Sequence, residues 1–230
     1  MFTGITQDAM WLLAQNRFEN SKAFYEEHKP RIQQEVVQPL RELLAELGDT
    51  AQEIDPKILI DPNRNGAVSR VRRDNRYTHD KSLYRENMWI ALMRDKKAYE
   101  CAPGFFMDFS LNGSTYGLGF RWCPPGLMQA LRAEIDDKPQ AFLKAVKAAA
   151  DAGFAVEGDR YARPKKQGLP PLLDGLANRK TVSVVKFEPD PAFFGSASLT
   201  DTLKKAFRTL APLYRLLMGA TERELLSREI

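Results

Sequence analysis

The chain is predicted to be an α+β protein: N-terminal helices packed on a mostly antiparallel sheet, further helices in the second half, and a long C-terminal helix. Three observations predict it. Apolar residues recur every three or four positions up to Leu47. The middle third then alternates apolar and polar residues around an Asn112-Gly113 turn signal. From Thr200 the helical period returns, with Leu203, Phe207, Leu210, Leu213 and Leu217 on one face. Helices followed by hairpin-type strands, without a repeating strand–helix–strand order, point to an antiparallel sheet. The 230 residues are read as one α+β domain spanning 1–230, with a helical sub-layer over 1–50 and a sheet with helices over 51–230.

Taken in order, Thr6 is a helix N-cap ahead of Ala9, Met10, Leu12 and Leu13, and Asn20 is read as the cap of a second helix. Pro30 fits the first turn of a third helix carrying Ile32, Val36, Leu40, Leu43, Leu44 and Leu47. Pro39 predicts a kink in it, and Gly48 its end. Lys57 to Ile60 reads as a short strand, and residues 61–66 as a turn cluster. Met88 to Arg94 is a strand. Phe105 to Leu111 and Thr115 to Trp122 form a hairpin joined at Asn112-Gly113, with Phe105, Met107, Phe109 and Leu111 facing inward. After Pro124-Pro125-Gly126, Leu127 to Ile135 and Pro139 to Ala152 are helices, the second stopped by Gly153. Phe154 to Tyr161 is strand-like, Gly168 to Asn178 a connection, and Thr181 to Phe187 a strand. The last helix runs from Thr200 to about Met218, with a polar tail from Glu222 to Ile230.

Composition narrows the function classes. The 34 basic and 30 acidic side chains leave a net charge of +4, too little to signify nucleic-acid binding, although the basic excess is concentrated between Arg64 and Arg85. Two cysteines, Cys101 and Cys123, outside any CxxC spacing, read as free thiols in a reducing compartment, so the expected location is cytoplasmic. No apolar run approaches a membrane span and no signal peptide is visible.

The chemistry-bearing stretch is V-S-R-V-R-R-D-N-R-Y-T-H-D-K-S-L-Y-R, from Val68 to Arg85. Clustered arginines carry forks of donors matched to carboxylate and phosphate. If the segment is extended, Arg70 and Arg72 share a face and Arg73 takes the other. The predicted site is a pocket for a small anionic ligand in which Arg72 and Arg76 grip the anion and Asp74 positions them. Arg70, Lys81 and Tyr84 line its rim, and Arg121, on the face bared by Gly117 and Gly119, joins it. The plain structural alternative is an Arg–Asp network locking a loop to the sheet. Asp80, Lys81 and Tyr84 are a weaker acid–base set. An interaction surface for nucleic acid or an acidic partner is the alternative from another class, and the basic stretch of Arg160, Arg163, Lys165 and Lys166 belongs to the same question.

Other chemistries are discounted. His28 and His79 are the only histidines and lack metal-ligand spacing, so no metal and no cofactor are expected. There is no G-x-S-x-G motif, and the glycines of 113–119 lie in a hairpin, not between strand and helix.

Four segments together resemble a known family: N-R-F-E-N-S-K-A-F-Y from Asn16, R-V-R-R-D-N-R-Y-T-H-D-K-S-L-Y-R from Arg70, G-S-T-Y-G-L-G-F-R-W from Gly113, and G-D-R-Y-A-R-P from Gly158. The chain is similar, over about Phe2 to Met218, to a widespread microbial family catalogued as domain of unknown function family 2461. Arg70, Arg73, Asp74, Arg76, Asp80, Lys81 and Tyr84 match its basic segment; Asn75, Tyr77, Thr78, His79, Leu83 and Arg85 depart from it. The resemblance implies no activity.

Overall fold

The computed structural model describes residues 1–64, 66–76, 78–196 and 198–228. Asn65 of the expected turn, Tyr77 of the basic stretch and the last two residues of the expected tail lie outside the described residues.

Helix α1 (Gln7–Glu19) starts where Thr6 Oγ1 accepts the Ala9 N–H at 3.2 Å. Asn20 does not cap the next helix. It closes α1 in a left-handed conformation, φ 47°, and its side-chain oxygen accepts the Leu83 N–H at 2.7 Å. Ser21 caps α2 (Lys22–Ile32) instead. Pro30 does not open a helix: it lies inside α2, which runs through a π-helical turn (Gln33–Val37) into α3 (Gln38–Ile54). The Gln38 N–H reaches back to Gln33 O, so one residue is added to the turn just before Pro39. A wide turn of this kind absorbs a proline without ending the helix. Gly48 does not end it either. It is buried inside α3, where a Cβ would stand 3.1 Å from Ile60 Cγ2, so the missing side chain serves close packing.

The sheet is antiparallel in the order β1-β2-β3-β5-β4. Its strands are β1 (Met88–Met93), β2 (Pro103–Ser110), β3 (Gly113–Phe120), β4 (Ala155–Glu157) and β5 (Ser183–Glu188). Lys57 to Ile60 contributes a single bridge, Leu59 to Met93, and not a strand. The hairpin turn is Leu111-Asn112, one residue earlier than expected, because Gly113 already pairs with Ser110. Helices α4 (Pro125–Asp137) and α5 (Pro139–Asp151) follow, and Gly153 (φ 85°) ends α5. Residues 155–157 of the strand-like segment pair with β5, and Arg160 adds an isolated bridge to Arg179. The Gly168–Asn178 connection holds a short helix, α6 (Pro171–Ala177), whose Leu173 and Leu176 are buried. The last helix, α7 (Leu199–Arg228), takes in most of the expected tail, where Glu224 is buried just beyond the buried Ala220 and Thr221.

Helix α7 packs on β2 and β3 and against α3, α4 and α5. Phe105 stacks on Phe207 and Tyr214, ring centroids 4.7 and 5.1 Å apart. Phe105, Met107 and Phe109 are almost fully buried under that layer, as alternation requires of a half-covered strand. Under the same helix Asp55, at the end of α3, accepts hydrogen bonds from Arg94 Nε (2.6 Å) and the Tyr214 hydroxyl (2.5 Å). Among the described residues, no helix is long and apolar enough to cross a membrane. The opposite face of the sheet carries Trp89, Ala91, Phe106 and Asp108, and the segment between Arg64 and Arg85 folds beside it.

Candidate functional site

The segment after α3 extends the sheet beyond β1. Ala91 N–H bonds Ala67 O and Ser69 N–H bonds Trp89 O, both at 2.8 Å. The chain then turns back on itself, with Arg73 N–H on Leu83 O and Arg85 N–H on Val71 O. That small hairpin is held to the helical layer at three points. Arg17 of α1 pairs with Asp80 at 2.8 Å, Asn20 bonds Leu83, and Tyr84 stacks on Tyr25 of α2 with centroids 4.8 Å apart. Asp80 also accepts from the Ser82 hydroxyl (2.6 Å), the Ser82 N–H (2.9 Å) and Arg73. Those Ser82 bonds, with the charges of Arg73 and Arg17, hold the Asp80 carboxyl well below the usual carboxylate range.

Between this segment and the uncovered sheet face lies a cleft of about 560 Å³. Its floor is Trp89, Ala91, Met93, Phe106 and Phe120 with Gly104 and Gly119. Its cationic lining is Arg64, Arg70, Arg72, Arg85, Lys96 and Arg121, against two carboxylates, Asp74 and Asp108. The volume falls in the range of small-molecule sites, which combine an apolar lining with a few placed polar groups.

Of the residues expected from sequence, Arg70, Arg72, Asp74 and Arg121 line this cleft. Arg73, of opposite parity, is turned to Asp80 and Ser82. Arg76, Lys81 and Tyr84 are placed elsewhere. Arg76 holds Asp74 in a two-pronged pair of 2.9 and 2.7 Å, which takes the Asp74 carboxyl down to about 2. Lys81 Nζ donates to Asn75 O at 3.1 Å. Tyr84 is in the core, 3% exposed, and burial raises its phenol pKa, opposite to what a phenolate base needs. The glycines of β3 answer mainly to sheet packing: a Cβ on Gly117 would lie 2.1 Å from Val184 O. In the second basic stretch, Arg160 pairs with Asp174 at 2.6 Å and Lys166 with Asp136, so it anchors its own loop.

Sequence reasoning missed three cleft residues. Arg64 Nε and Nη2, and Arg85 Nε, are buried without a hydrogen-bond partner among the described residues. Burial lowers both guanidinium pKa values, although nearby carboxylates oppose it, and arginine stays charged regardless. An unpaired buried donor on a charged group is costly and marks either strain or a place for an acceptor. Asp108 is the third. It is half-buried, accepts from the Asn87 amide at 2.6 Å, and its carboxyl is pushed up to about 6 by burial, with Asn87 and Arg85 pulling the other way. The available signal was phase: Asp108 shares its strand face with Phe106, and a face holding both is not simply solvated.

Among the described residues no three His, Cys, Asp or Glu side chains converge as a metal site. Cys101 and Cys123 are free thiols whose pKa values are raised by burial, which makes them poor nucleophiles.

A family model described as a conserved hypothetical protein (DUF2461) matches residues 8–216. No curated protein and no solved structure matches the chain.

Proposed function

From the premise that the chain belongs to the conserved hypothetical protein family DUF2461, we propose that it binds a small phosphate- or carboxylate-bearing ligand in the cleft between the basic segment and the uncovered sheet face. The observation that carries this reading is a pair of half-buried arginines, Arg64 and Arg85, of which Arg64 Nε and Nη2 and Arg85 Nε are buried without acceptors among the described residues. Arg94 and Arg73, by contrast, direct their donors to carboxylates of the fold. An anion would satisfy these donors with charge-assisted hydrogen bonds where solvent competes weakly. Arg70, Arg72 and Arg121 add further charge to the lining. A cytoplasmic setting belongs to the same reading, supported by two unpaired cysteines.

Thermal shift of the wild type and of Arg85→Gln tests it, against inorganic phosphate, nucleotides, organic acids and short oligonucleotides. The expected result is a melting temperature that rises with one of the small anions in the wild type and not in the variant, both folded. A site of this kind loses affinity gently with salt. Contacts to several phosphates of a polymer weaken steeply, so oligonucleotide-only stabilisation that collapses with salt would replace this reading by a nucleic-acid surface.

A further inference from the structure

Arg64 and Arg85, whose buried nitrogens lack acceptors among the described residues, stand at opposite ends of the cleft. Ser69 N–H bonds Trp89 O, which sets Arg70 beside the start of β1, and Arg85 lies three residues before that strand. The charges that act on Arg85 are Arg73, Asp108 and Arg70. Arg64 belongs to the other end: Ala67 N–H bonds Arg64 O while Ala67 O takes the Ala91 N–H, so the chain runs past Ala91 toward Met93. The charges that act on Arg64 are Asp95 and Asp61. Met93 is paired with Gly104 and Gly104 with Gly119, and Arg121 follows β3 at that same end.

Between the ends lies the strand register. Trp89 is opposite Asp108, Ala91 opposite Phe106, and Met93 opposite Gly104. All six point into the cleft or bare its floor. Trp89 and Met93 are four residues apart, about 13 Å at ~3.3 Å per residue. A lone phosphate fills a small part of 560 Å³ and reaches one arginine, leaving the other unsatisfied.

We propose that the natural ligand carries two anionic groups, one at each end of a flat apolar body, so that Arg85 with Arg70 holds one group, Arg64 with Arg121 holds the other, and the body lies on Trp89, Ala91 and Phe106. This rests on the anion-binding reading above. Asp108, opposite Trp89 and bonded to Asn87, stands beside the body near the Arg85 end, where it can accept from or donate to a polar group on a ring edge.

The probes are rigid para-linked aromatic dicarboxylates of increasing length, terephthalate, biphenyl dicarboxylate and terphenyl dicarboxylate, each with its monocarboxylate, titrated into the full chain by calorimetry. The expected result is that one of the two longer diacids binds at least tenfold more tightly than its monoacid, while terephthalate gains little over benzoate. Arg64→Gln and Arg85→Gln each reduce that diacid to monoacid affinity, and the double variant binds neither. The length dependence in the wild type needs no variant to fold. If monoacids bind through Arg85 and the second carboxylate adds less than threefold at every length, the two-ended ligand is wrong and the anion site stands. If neither these acids nor phosphate binds, both fail.

Discussion

The Asn87 amide donates to Asp108 at 2.6 Å across the β1–β2 edge, and this contact fixes one of the two carboxylates that line a mainly cationic cleft. Asn87 sits just before β1 and Asp108 opposite Trp89, so the pair lies at the Arg85 end. A neutral amide gives the carboxyl a donor without a counter-charge. Burial therefore still raises its pKa to about 6.

That shift predicts a pH dependence. In the unfolded chain the group titrates near ~3.9. Between about 4 and about 6 the folded protein holds a proton that the unfolded chain has released, so this group's contribution to stability falls as pH rises through that window and stays lost above it. Asp108→Asn is expected to be more stable than wild type at pH 7.5 by about 2 kcal/mol and to lose the advantage by pH 3.5. Urea midpoints across pH check this; parallel profiles for the two proteins would show that the carboxyl is solvated.

The Asp55–Arg94 pair predicts a large loss. Both side chains are buried, 6% and 11% exposed. The Asp55 carboxyl is disfavoured by burial, yet the bonds from Arg94, Tyr214 and the Lys57 N–H prevail and hold it below its ordinary value. Arg94→Met leaves that charge buried with one partner fewer, and a loss of about 3–5 kcal/mol is expected in urea unfolding. The exposed Lys147–Asp151 pair at 2.7 Å is the control, with Lys147→Ala costing at most about 0.5 kcal/mol.

Two glycines should answer oppositely to alanine. Gly117→Ala drives a Cβ into Val184 O and Val185 Cα, which forces β3 from β5 at a cost of about 3 kcal/mol. Gly175, inside α6, has nothing within 4 Å of its would-be Cβ. Gly175→Ala should stabilise by about 0.5–1 kcal/mol through backbone entropy. A thermal melt of each variant reads both signs.

Tyr84 separates packing from acid–base chemistry. Tyr84→Ala removes a core ring stacked on Tyr25 and should cost about 3–5 kcal/mol. Tyr84→Phe should stay within about 1 kcal/mol of wild type and leave anion binding unchanged. A loss of binding in Tyr84→Phe, with stability intact, would return the hydroxyl to the site.

Much of the architecture is a local property. The alternation from Phe105 to Phe109, the heptad-like leucines of α3 and α7, and the Thr6 cap are each decided by neighbours within a few residues, and each stands in the structure as read. The misreadings share one cause. Gly48 looks like a helix stop until Ile60 is packed on it. Asn20 looks like the next helix's cap until Leu83 arrives, 63 residues on, to take its side chain. Pro30 looks like a helix start until the π turn beyond it carries the axis onward.

By itself the sequence determined the α+β class, the covered face of the sheet and the concentration of arginine between Arg64 and Arg85. Period and charge are written along the chain, and a strand's alternation sorts its faces before it meets a partner. Only the tertiary structure decided which cations share a cleft. Parity sent Arg70 and Arg72 one way and Arg73 the other, but the partners Asp74 and Asp80 engaged Arg76 and Arg73. Arg64 and Arg85 had nitrogens buried, without acceptors among the described residues, by a segment folded beside Trp89, Phe106 and Asp108. Whether a charge is paired, and how far its carboxyl or guanidinium is shifted, depends on what lies within a few ångströms in space, a neighbourhood that residue order does not contain.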